Sequence, residues 1–97
     1  MFIKKYVSNL YFEEIINNYD ENFLNLIDEE NFVEIYKMLK LAGCYFIEDI
    51  ILKYLEIFTM NSKELYNALT YLKEKYGNNY MNHIGNNMTI LNEIVNK

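Results

Sequence analysis

The run Phe46 to Phe58, FIEDIILKYLEIF, constrains this chain more than any other stretch. Ile47, Ile50, Ile51, Tyr54, Leu55 and Phe58 recur at i, i+3, i+4, i+7, i+8 and i+11, the period of one helical face. Leu52 and Ile57 widen that face until only Glu48, Asp49, Lys53 and Glu56 remain for water. The pairs Asp49–Lys53 and Lys53–Glu56 support that wet stripe by about 0.2–0.5 kcal/mol each. A helix apolar around most of its girth has to be covered on several sides, so the run predicts a central helix wrapped by others.

The remainder of the chain offers such helices. Its 97 residues contain no proline and only three glycines, so helices on short connections are favoured over strands and turns. The expected fold class is all-α in one domain over 1–97, either a short array of αα-hairpin repeats or a compact bundle of about five to six helices. Residues 2–7 lead into a first helix, capped by Ser8 and carrying Leu10, Tyr11, Ile15 and Ile16. Asp20 and Asn22 open a short turn with Phe23, Leu24 and Ile27. Asp28 is the N-cap of the next helix, whose apolar side is Phe32, Ile35, Tyr36, Leu39 and Ala42 and whose left-handed stop is Gly43.

Past the central run, Asn61 and Glu64 have the spacing of a capping box. They start a helix with Leu65, Ala68, Leu69, Leu72 and Tyr76 on one face, closed by Gly77. Tyr80, Met81 and Ile84 predict a short helix ended by Gly85, and Ile90, Leu91, Ile94 and Val95 a last one. That last apolar face is a candidate homodimer contact.

The chain also matches itself at a shift of 33 to 34 residues. Gly43 falls on Gly77, Phe12 on Phe46, and Ile16 on Ile50 and then Ile84, giving units 9–42, 43–76 and 77–97. The features from Gly43 to Leu91 are a turn glycine, Ile47-Glu48-Asp49-Ile50, Ile57-Phe58, Ser62-Lys63-Glu64-Leu65, Leu72 to Gly77 and Asn87 to Leu91. Together they resemble the repeat of the mitochondrial transcription termination factor family. Leu55 or Glu56, and Met88, stand where that family has proline. The resemblance implies a helical solenoid that binds nucleic acid.

Charge points elsewhere. Fourteen acids against nine lysines give a net charge of −5, which opposes attraction to phosphate backbones. Arginine, the best forked phosphate ligand, is absent. Residues 13–34 hold Glu13, Glu14, Asp20, Glu21, Asp28, Glu29, Glu30 and Glu34 with no lysine among them. The bland reading is a solvated face with two helix caps. The sharper reading makes Glu13, Glu14, Asp20, Glu21, Asp28, Glu29 and Glu30 a face for a protein partner, including an inhibitor docking on a basic nucleic-acid-binding surface. Small acidic phage inhibitors of nucleases are similar in size and charge. Under the alternative, a nucleic-acid-binding repeat, Lys37, Lys40, Lys53, Lys73 and Lys75 are the phosphate contacts.

Catalytic signals are sparse. Cys44 and His83 are the only residues of their kind and no motif flanks either; neither a metal-ligand spacing nor a phosphate loop is present. A non-enzyme without metal or cofactor is expected. Tyr36, Tyr54, Phe58 and Tyr76 read as core, whereas Tyr66 and Tyr71 lie off their helix's apolar stripe. The N-terminal MFIKKYVSNLYF reads as neither signal peptide nor membrane span. With one cysteine and no internal disulfide, a cytoplasmic setting is expected.

Overall fold

A computed structural model of the chain describes residues 1–95; the last two positions of the 77–97 unit lie outside the described residues. Seven α-helices follow one another: α1 Asn9–Asn18, α2 Glu21–Asn25, α3 Glu29–Leu41, α4 Ile47–Lys53, α5 Ser62–Tyr76, α6 Tyr80–Asn86 and α7 Asn92–Val95. Three 3-10 turns, Phe2–Lys5, Leu55–Thr59 and Met88–Leu91, complete the order, and no strand occurs among the described residues. The all-α class is as expected, with more and shorter helices than the periodicity suggested.

Local chemistry sets most boundaries. Ser8, Asp20 and Asp28 accept from the backbone N–H groups of Tyr11, Asn22 and Asn31 at 3.3, 2.9 and 2.9 Å, each satisfying an orphan donor of the helix it starts. Asn61 and Glu64 form the full capping box: Glu64 N–H donates to Asn61 Oδ1 at 2.8 Å and Asn61 N–H to Glu64 Oε1 at 3.2 Å. Helix α3 ends in a Schellman turn. Gly43 has φ +90°, Cys44 N–H donates to Leu39 O at 3.0 Å and Gly43 N–H to Lys40 O at 3.1 Å. Gly85 does not end α6 but lies inside it. A Cβ there would come within 3.2 Å of the Phe46 ring and nearer still to the Tyr45 hydroxyl, so this glycine admits the Tyr45-Phe46 pair against the helix.

The central run is the main departure. It is helical only to Lys53; Tyr54 has φ −135° and ψ 47°, and Leu55–Thr59 continues as a 3-10 turn. A side chain from α1's end fills the break. Tyr19 Oη donates to Leu52 O at 3.2 Å and accepts from Leu55 N–H at 3.3 Å. These two groups would otherwise bond to Glu56 and Ile51 in a continuous helix. From α3, Asn31 Nδ2 donates to Phe58 O at 3.1 Å and Met60 O at 2.7 Å, closing the far end of the turn. The carbonyls of Leu52, Phe58 and Met60 and the amide of Leu55 are therefore satisfied at the break.

Packing nevertheless follows the expectation for this run. Ile47, Ile50, Ile51, Leu55, Ile57 and Phe58 are all buried. α1 packs on α4, and α3 packs on α4, on the 3-10 turn and on α5, while α6 covers α5 and the turn at 88–91. Phe32 of α3 stacks on Phe58 with ring centroids 4.5 Å apart, and Phe2 and Tyr6 each approach Phe32 at 5.1 Å. Of the tyrosines expected in the core, Tyr36, Tyr54 and Tyr76 are half-buried against it. Leu91 and Ile94 are buried and Ile90 and Val95 half-buried, so the apolar face offered for a homodimer turns inward on its own chain. The Cα radius of gyration is 13.0 Å, close to the ~12.5 Å of a compact domain of this length. The arrangement is a compact bundle. No helix among the described residues is long and apolar enough to cross a membrane.

Candidate functional site

The acidic residues singled out by the sequence are all exposed, yet they do different work. Asp20 and Asp28 are spent as caps of α2 and α3. Glu29 Oε2 lies 3.8 Å from Lys5 Nζ, an exposed pair worth at most about 1 kcal/mol. Glu13, Glu14, Glu21 and Glu30 make no side-chain hydrogen bond or ion pair among the described residues. These four, with Glu34 further along the same lysine-free stretch, are exposed acids without a side-chain partner among the described residues.

The helix breaks divide them. Because α1 ends at Asn18 and α2 at Asn25, the sevenfold spacing of Glu14, Glu21 and Asp28 does not form a single ridge. Glu14 and Asn18 face a crevice shared with Tyr19, Leu52, Lys53 and Glu56. Glu13 is one turn before Ile16, on the other flank of α1.

Ile16 leads to a feature that the sequence did not disclose. Phe2, Phe12, Ile16, Leu24 and Ile27, with Glu21 among them, line an open groove of about 750 Å³ between the N-terminal turn, α1 and α2. Leu24 and Ile27 form its buried floor, while Ile16 keeps 49% of its surface in water and Met1 51%. Each of these residues was legible only as part of a helical apolar face. Between α1 and α2 the backbone is extended at Tyr19 and Asp20, with ψ of 143° and 136°, so the two helices are not one continuous rod.

The lysines are spread over three helices. Lys37 and Lys40 belong to α3, Lys53 ends α4, and Lys73 and Lys75 lie in the last turn of α5. Lys40 Nζ sits 6.0 Å from the Tyr36 ring centroid. Lys75 Nζ is bound to Glu93 Oε1 at 2.6 Å, and this hydrogen bond raises its pKa. The same carboxylate accepts from Tyr71 Oη at 3.2 Å and from Tyr76 Oη. The Lys75 and Tyr76 bonds hold the Glu93 carboxyl below its ordinary range. Tyr71 is thus tied to α7 on one edge, whereas Tyr66 stands in water.

The remaining reactive groups have structural surroundings. Cys44 is buried, and burial pushes its thiol up to about 11, so it is protonated at neutral pH. His83 is exposed on α6 beside the Tyr76 ring at 5.9 Å. Tyr11 Oη donates to Asp49 Oδ1 at 2.8 Å and joins α1 to α4, and this bond raises the tyrosine pKa. No group of three potential metal ligands occurs among the described residues. The arrangement offers exposed carboxylates beside partly wet aliphatic and aromatic side chains. Comparison with models of known families, with curated proteins and with solved structures returns no match to this chain.

Proposed function

We propose that this protein is a non-catalytic binding module that presents its acid-bearing N-terminal half to a basic surface of a protein partner. One observation carries the reading: Glu13, Glu14, Glu21 and Glu30 are exposed and free of partners, in a stretch without a single lysine between Lys5 and Lys37. Such a field speeds encounter with a cationic partner and repels anionic ones. A basic surface that itself binds nucleic acid fits this chemistry, which makes the module an inhibitor by occupation.

The test spares the helix caps. Glu13, Glu14, Glu21 and Glu30 are reversed together to lysine, with Asp20 and Asp28 kept, and the tagged full chain is cross-linked in its native cells. The wild-type chain is expected to retain a specific basic partner, in a complex weakened by salt, and the reversed chain to lose it. Equal capture by both chains would count against the reading.

The termination-factor resemblance supports a second reading, in which the chain binds nucleic acid. Lys37, Lys53 and Lys73 are exposed and unpaired among the described residues. A gel shift with single- and double-stranded DNA and RNA at low salt addresses it directly. Absence of a shift at micromolar protein retires it.

A further inference from the structure

The central run breaks where nothing in its own sequence ends a helix. Phe46 to Met60 contains neither glycine nor proline. Leu52, Lys53, Leu55 and Glu56, on either side of the break, are among the better helix formers. The groups that replace the missing helical bonds come from other elements. Tyr19 pairs with Leu52 O and Leu55 N–H at the break, and Asn31 holds Phe58 O and Met60 O at the far end of the 3-10 turn.

The break also decides which side chains are buried. At about 3.6 residues per turn, a continuous helix would set Tyr54 near the middle of the face made by Ile47, Ile50, Ile51 and Phe58. Ile57 would lie roughly 90° away, at the margin of that face. In the structure Ile57 keeps only 1% of its surface in water, and Tyr54 is half-buried. Length differs as well. Leu55–Thr59 rises about 2.0 Å per residue as a 3-10 turn and would rise about 1.5 Å per residue as α-helix. Closing the break therefore shortens the run by about 2.5 Å and shifts Phe58 against Phe32 and Asn31.

We propose that Phe46–Phe58 is a two-state element, and that Tyr19 and Asn31 are the clamps that hold it in the broken state. With both clamps gone the run closes into one α-helix from Ile47 to Phe58. Tyr54 then enters the core face and Ile57 moves to its margin. The first clamp stands at the surface: Tyr19 lines a crevice with Glu14, Asn18, Lys53 and Glu56. A displacement at the α1–α2 junction is in this way transmitted to Phe58 in the core.

The test compares Tyr19→Phe, Asn31→Ala and the double variant in the isotope-labelled full chain, with the Glu56 amide as reporter. In the broken state that amide precedes the first bond within the 3-10 turn, and the Leu52 carbonyl is taken by Tyr19 Oη. In the closed state it donates to Leu52 O. Each single variant keeps one clamp, so Glu56 is expected to exchange as fast as in the wild-type chain. The double variant is expected to slow that exchange by about tenfold or more. Helical Cα shifts should then run unbroken from Lys53 to Ile57, and the double loss of stability should be smaller than the sum of the single losses.

A folded double variant with Glu56 unprotected and the shifts of Tyr54 to Ile57 unchanged overturns the proposal. Packing of Ile57 and Phe58 would then set the break without the clamps. A double variant that circular dichroism shows to be unfolded overturns it too, because closure re-pairs the Leu52 and Leu55 groups that Tyr19→Phe strands. The readout needs no partner, so the acid-face reading stands or falls separately.

Discussion

Tyr19 holds its hydroxyl between the carbonyl of Leu52, at 3.2 Å, and the amide of Leu55, at 3.3 Å, and so takes the place of two helical hydrogen bonds. Its ring stacks on Phe23 with centroids 5.6 Å apart, and that contact survives removal of the hydroxyl. Tyr19→Phe therefore isolates the polar part. It leaves two partly buried backbone groups unpaired and is expected to cost about 1–2 kcal/mol, read as a lower urea midpoint with an unchanged slope. A midpoint equal to wild type would mean that water replaces the hydroxyl at no cost.

Asn31 fixes the other end of the same turn. Its amide donates to Phe58 O at 3.1 Å and to Met60 O at 2.7 Å, while its backbone N–H is capped by Asp28. Asn31→Ala is expected to destabilise by about 1–3 kcal/mol. Asn31→Asp should be worse, since a carboxylate has no donor to offer two carbonyl oxygens. Denaturant melts of both variants check the order; an aspartate variant as stable as wild type would contradict it.

These two side chains also show where reading the sequence stops. The caps at Asp28 and Asn61, the glycine stop at Gly43 and the burial of Ile50, Ile51 and Phe58 depend on neighbours within one or two helical turns, and all were legible. The break at Tyr54 was not. The apolar period runs unbroken through Phe46–Phe58, and the groups that make the break tolerable come from Tyr19 and Asn31, separated in sequence by 33 and 27 residues from the carbonyls of Leu52 and Phe58. The candidate site divides the same way. Its acids stand out in a lysine-free stretch, but the groove beside them is assembled from three separate elements. Nothing local marks Phe12 or Ile16 as its wall.

Phe32 ties the N-terminal turn to the central run. It is fully buried, stacked on Phe58 at 4.5 Å and edged by Phe2 at 5.1 Å. Phe32→Ala is expected to cost about 3–5 kcal/mol, a large part of the roughly 5–15 kcal/mol that holds a domain together. Urea unfolding measures it. A loss below about 1 kcal/mol would show that the ring stack is peripheral to the core, contrary to its placement.

The contact of Glu93 with Lys75, Tyr71 and Tyr76 gives the fold a pH signature whose sign follows from the direction of the shifts. In the folded chain the Lys75 and Tyr76 bonds hold the Glu93 carboxyl below its ordinary range, so the folded state holds the ionised form more tightly than the unfolded chain does. This contribution is complete above the unfolded pKa and disappears as pH falls through the folded one. The hydrogen bond to Glu93 raises Lys75 above the ordinary lysine range, so its share persists through neutrality and is lost only as pH rises through the folded pKa. Glu93→Gln keeps the shape of the side chain and removes the charge. Thermal melts in dilute buffer should then show the wild-type and variant curves separated at neutral pH and converging on the acid side. No separation at neutral pH would mean that the Glu93 contacts add nothing to stability, and a separation that stays constant down to strongly acid pH would mean that its ionised form is not what stabilises the fold.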